Sequence, residues 1–112
     1  MSIFHEFTEF VAKDVTLENL RDYLNTTDRK SFQVRNVNSC PIACFLDSQN
    51  NELRISVGVS GSSINYCRVP HNKDIMEFIR RVDSSDTCEL SRHQVLDIVN
   101  KLIEDKKKIF SN

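Results

Sequence analysis

Leu53, Ile55, Val57 and Val59 alternate strictly with Arg54, Ser56 and Gly58, and the run from Asn38 to Asp83 around them restricts the fold more than any other part of the chain. A two-residue apolar period places every hydrophobic side chain on one face of a strand, so this segment requires a sheet with one buried side. Ser60-Gly61-Ser62 follows as a glycine-containing hairpin loop, and Ile64, Tyr66, Cys67 and Val69 make the returning strand, stopped by Pro70. The expectation is an antiparallel pair flanked by helices.

The helices carry their own signals. Pro41 falls in the first turn of a helix running from about Pro41 to Asp47 or Ser48, where its missing N–H costs nothing, and Asn38, Ser39 or Cys40 is its N-cap. After Pro70, Asn72 or Asp74 starts a helix with Ile75, Phe78, Ile79 and Val82 on one face. Ser91 with Gln94 forms a capping box and Leu90 with Val95 a staple. They open a last helix with Val95, Leu96, Ile98, Val99, Leu102 and Ile103 along a broad apolar face. Upstream, Ser2 caps a helix with an aromatic stripe of Phe4, Phe7 and Phe10, and Thr16 caps a second helix bearing Leu17, Leu20, Tyr23 and Leu24. Phe32-Gln33-Val34-Arg35 alternates too briefly to separate a short strand from an extended lead-in.

These elements predict one α+β domain over residues 1–112, with four to five helices packed around a small antiparallel β-hairpin sheet. An N-terminal helical pair occupies 2–27, a helix-hairpin-helix core 38–83 and a C-terminal helix 91–108. With 112 residues, 39% hydrophobic and 28% charged, and only two Gly and two Pro, the composition suits one packed core rather than a disordered or repetitive chain.

A formal charge of −1, from 15 basic and 16 acidic residues, excludes a global field favouring nucleic acid or an anionic membrane. No apolar run approaches the roughly 18 residues of a membrane span, and the start of the chain lacks the basic lead and apolar stretch of a secretory signal. The expected location is the cytoplasm, where Cys40, Cys44, Cys67 and Cys88 remain thiols.

Candidate chemistry is sparse. Cys40 and Cys44, Cys67 with His71, and Cys88 with His93 are zinc-ligand types, but no Cys-x-x-Cys knuckle or complete finger spacing occurs, and packed thiols explain them better. No metal and no cofactor are therefore expected. Cys40 at a helix N-terminus, with His71 or His93 as base, is the one candidate for a thiol-dependent enzyme. Its simpler role is structural. Arg80, Arg81, Arg92, Lys101, Lys106, Lys107 and Lys108 on the last two helices are the candidate nucleic-acid surface, against the alternative of a solvated charged face. Phe4, Phe7 and Phe10 are the candidate protein-interaction residues, against the alternative that they complete the core. A homodimer through that helix or the hairpin edge is a further candidate assembly.

Ser39-Cys40-Pro41-Ile42-Ala43, Ile55-Ser56-Val57-Gly58 and Phe78-Ile79-Arg80-Arg81-Val82-Asp83 together resemble a loose group of small uncharacterised bacterial and phage proteins. Those proteins carry a Cys-Pro-Leu-Ala helix, a Ser-Val-Gly strand and a Phe-Val-Arg-Arg-Val-Asp helix in the same order. The likeness covers about Asn38 to Leu102. It implies a small cytosolic accessory protein of a bacterium or mobile element, with no catalytic residues to carry over. The sequence-level expectation is accordingly a non-catalytic accessory or regulatory protein acting by protein contact, including inhibition of a host factor. A nucleic-acid-associated regulator is the alternative.

Overall fold

The computed structural model describes residues 9–11, 15–49, 52–58, 61–65 and 67–110, without the side chains of 108–110. The fold is α+β, and the described residues form four helices and two small antiparallel sheets. Phe4 and Phe7 lie outside the described residues, as does most of the expected first helix.

Helix α1 (Leu17–Thr26) starts where expected: the Thr16 hydroxyl accepts the Asn19 N–H at 3.1 Å, and Val15 and Leu20 are both buried, as a staple requires. Leu17, Leu20 and Leu24 face the core. Strand β1 (Ser31–Gln33) buries Phe32, after which Arg35 takes a left-handed conformation with φ 60° and turns the chain. Helix α2 (Pro41–Gln49) is the central element. Pro41, Ile42, Ala43, Phe45 and Leu46 are all buried, so this helix is apolar around most of its circumference. The Cys40 carbonyl accepts its first bond, from Cys44 N–H at 3.0 Å.

Strands β2 (Ile55–Val57), β3 (Gly61–Ile64) and β4 (Cys67–Pro70) form a three-stranded meander, not a two-stranded hairpin. Ile55 faces Ile64 and Val57 faces Ser62, then Ser62 faces Val69 and Ile64 faces Cys67. The expected returning strand is divided at Asn65. Its φ of 49° is one that an asparagine tolerates, and it binds Arg54 twice: its N–H donates to the Arg54 carbonyl, and its Oδ1 accepts the Arg54 N–H, each at 2.8 Å. Gly61 belongs to β3 and not to the loop. A Cβ there would lie 2.6 Å from the Val69 carbonyl oxygen, so glycine permits the close approach of β3 and β4. The outer edge of β2 is covered by the chain before α2: Val57 N–H donates to the Val37 carbonyl, and Asn38 Nδ2 to that of Ile55.

Helix α3 (Lys73–Asp83) is capped by Asn72, whose Oδ1 accepts the Ile75 N–H at 3.0 Å while its Nδ2 donates to the Val15 carbonyl at 2.6 Å. Strand β5 (Glu89–Ser91) pairs antiparallel with β1, Phe32 facing Leu90. It has no counterpart in the sequence reading, because three residues with one buried position carry no usable period. The capping box then opens α4 (Arg92–Phe110): Ser91 N–H donates to Gln94 Oε1 at 2.8 Å, and Gln94 N–H to Ser91 Oγ at 3.2 Å. Helix α4 packs against α1 and α3, and its Val95, Val99, Leu102 and Ile103 join one core with Leu20, Phe32, Ile42, Leu46, Ile64 and Phe78. Among the described residues no helix is long and apolar enough to cross a membrane.

Candidate binding cleft

The buried core leaves one group of aromatic rings at its margin. Phe45 reaches up from α2, Tyr23 sits half-buried on the flank of α1, and Phe10 packs across them. Tyr23 meets Phe45 edge-on with ring centroids 5.4 Å apart, Phe10 lies 6.3 Å from Phe45, and Phe32 lies 6.4 Å from Tyr23. A cleft of about 690 Å³ opens over Phe10, Tyr23 and Phe45 between α1 and α2, and Asp22, Asp28, Ser48 and Gln49 also line it. Partial burial pushes the Tyr23 phenol above its ordinary value, so its hydroxyl remains a neutral donor and acceptor near Thr27.

Asp22 and Asp28 make no ion pair with any described residue. An adjoining smaller cleft of about 280 Å³ is lined by Tyr23, Arg29, Cys44 and Asp47. Arg29 is held in place there, its Nε donating to the Ser31 carbonyl at 3.0 Å and its guanidinium lying 5.6 Å over the Phe32 ring.

The basic candidates behave differently. Arg81 binds Glu77 at 3.2 Å and Asp105 at 3.6 Å, Lys101 reaches Asp105 at 3.7 Å, Lys106 reaches Asp74 at 2.9 Å, and Arg80 lies 3.9 Å from Glu77. The Asp74 carboxylate raises the Lys106 ammonium above its ordinary value. Arg92 donates instead to the Leu24 carbonyl at the end of α1. These cations thus tie α3 to α4 and cap α1 rather than forming an uncompensated positive field. Lys107 is exposed on α4, and the Lys108 side chain lies outside the described residues.

Cys40 is buried, and desolvation pushes its thiol up to about 11. The backbone N–H groups of Ala43 and Ile42 pull in the other direction, as a helix start should, but burial outweighs them. That is the opposite of an activated nucleophile. Cys44 is also raised by burial, with its Sγ 3.5 Å from the Ser39 carbonyl. No group of three or more candidate metal ligands occurs among the described residues.

One buried polar pair escaped the sequence reading. Ser62 Oγ lies 3.0 Å from His71 Nε2, and both residues are buried, while His71 Nδ1 has no hydrogen-bond partner among the described residues. Desolvation lowers His71 to about 4. The Gly58 backbone offsets this in part, and the Arg68 charge adds to it. The ring is neutral at pH 7 and joins β3 to the start of α3. With Ser62 only 1% exposed, no substrate reaches the hydroxyl.

Of the protein-interaction candidates, only Phe10 is described, and it lines the cleft half-buried. Tyr23, Phe45, Asp22 and Asp28 were not anticipated there. Tyr23 gave a partial signal, because a tyrosine at the margin of a leucine face has an apolar body and a polar tip. Comparison of the chain with protein-family models, curated proteins and solved structures finds no match.

Proposed function

We propose that this chain is a small non-catalytic accessory or regulatory protein of a bacterium or phage, cytoplasmic, that acts by contact with another protein through the α1–α2 cleft. Inhibition of a host factor is one form of that role. The observation that supports the reading is the cleft itself, where three aromatic rings and two carboxylates that make no ion pair among the described residues share one opening. Val37, 48% exposed, is the one large hydrophobic side chain that stands mainly in solvent among the described residues.

A photo-crosslinking residue at Gln49, on the cleft, and another at Glu104, on the exposed face of α4, test the reading in the source cell. The expected result is a discrete adduct from position 49 alone, lost when Asp22→Lys and Asp28→Lys are combined. Identical adducts from both positions would rule out the cleft as the contact. The nucleic-acid alternative is tested by anisotropy with generic DNA and RNA. Tight binding that weakens steeply with salt and disappears on changing Lys101 and Lys106 would replace the present reading.

A further inference from the structure

We infer that the outer face of the three-stranded sheet holds a phosphate monoester, its oxyanion bound by the Ser56 and Ser63 hydroxyls and the guanidiniums of Arg54 and Arg68. The site shares no described lining residue with the α1–α2 cleft and stands independently of the contact proposed there. The strand register assembles it. Val57, Ile64 and Val69 are buried on one side of the sheet, so the alternate positions point outward. Ser56 stands directly opposite Ser63, Ser63 opposite Arg68, and Arg54 precedes Ser56 by two residues on the same face. A cleft of about 450 Å³ opens there, lined by Asn38, Arg54, Ile55, Ser56 and Ser63.

Charge and hydrogen-bonding capacity select the occupant. None of the chain's 16 acidic residues falls between Leu53 and Lys73, the stretch that holds all three strands. The two clefts beside Tyr23 have carboxylates in their linings, Asp22 and Asp28 in one and Asp47 in the other, whereas the described lining of this one has Arg54 and no acid. Ser56 and Ser63 are half-buried, and neither hydroxyl makes a hydrogen bond among the described residues, which leaves two neighbouring donors for a ligand oxygen. Arg54 is held at the rim by its two 2.8 Å backbone bonds with Asn65. Guanidiniums beside hydroxyls are a donor set for an oxyanion. A cationic occupant would be repelled, and an apolar one would bury the hydroxyls unpaired. The described lining has no aromatic ring on which a base could stack, which favours a small phosphorylated molecule over a nucleic-acid strand.

The probe is ribose 5-phosphate, titrated at a constant ionic strength of about 150 mM into the ¹⁵N-labelled full chain, with ribose as the neutral control. Amide shifts are expected at Arg54, Ser56, Ser63 and Arg68, saturating with a dissociation constant below ~10 mM, and ribose should produce none. Arg54→Gln, which keeps the backbone bonds to Asn65, should weaken binding at least about threefold, and Ser56→Ala combined with Ser63→Ala should do the same. No saturable shift, equal shifts with ribose, shifts centred on Lys101 and Lys106, or undiminished binding by both variants would each overturn the inference. A single-stranded oligouridylate that binds through the same amides more than about tenfold more tightly than ribose 5-phosphate would overturn the small-molecule occupant in favour of a nucleic-acid backbone.

Discussion

At the scale of single residues, two positions do work that their neighbours cannot take over. His71 is neutral in the fold because burial holds it near 4, against an ordinary value of 6.5. Below pH 6.5 the unfolded chain therefore binds a proton that the folded chain refuses, and stability falls as pH drops through the window from 6.5 to about 4. This group should cost about 2 kcal/mol between pH 7 and pH 5. Urea unfolding of the wild type and of His71→Gln measures it as the difference in slope against pH, and parallel slopes would refute the assignment. Gly61 is the second position. An alanine Cβ meets the Val69 oxygen at 2.6 Å and the Pro70 Cα at 3.2 Å, and these are backbone atoms that cannot rotate away. Gly61→Ala should therefore destabilise by about 1–3 kcal/mol. Gly58→Ala, whose nearest neighbour is the Gly61 oxygen at 3.3 Å, should cost clearly less in the same unfolding assay.

At the scale of elements, the ends of helices are held by side chains far away in sequence. Arg35 donates to the carbonyls of Asp83 at 2.9 Å, Ser85 at 2.8 Å and Thr87 at 3.3 Å, closing the C-terminus of α3 and the connection to β5 with one guanidinium. Alanine has the same difficulty with a φ of 60° as arginine, so Arg35→Ala isolates these hydrogen bonds. It should lose about 1–2 kcal/mol. Arg81→Ala removes two ion pairs whose partners are more than one-third exposed, and should lose less than about 1 kcal/mol. Thermal unfolding of the two variants side by side checks the order, and a larger effect at Arg81 would show that the α3–α4 ion pairs dominate over the cap.

At the scale of the whole molecule, one core joins all four described helices to both sheets, so Cys40 inside it reports on global opening. Cys67 and Cys88 are exposed and should react promptly with a disulfide reagent, Cys44 more slowly, and Cys40 only as fast as the molecule unfolds. A thiol near 11 also has roughly a hundredfold less thiolate than one at its ordinary 9. Prompt modification of all four cysteines in the folded state would contradict that burial. The helices α1, α3 and α4 were legible in advance because Thr16, Asn72 and the Ser91–Gln94 box are local signals, written within four residues of the bonds they make. Pro41 marked α2 for the same reason. Strand β5, the turn at Asn65 and the strand position of Gly61 were not legible, since each depends on a backbone partner elsewhere: β1, Arg54 and Val69. The cleft shows the same division. The order and caps of its helices follow from local periodicity and hydrogen bonding, whereas the meeting of Phe10, Tyr23 and Phe45, and the absence of a described ion-pair partner at Asp22 and Asp28, follow from how the helices pack. Sequence alone determined where most of the helices begin and that an antiparallel sheet forms, because those depend on nearest neighbours. Tertiary structure alone decided which charges are matched and which rings share an opening, because those are relations between segments that only packing brings together.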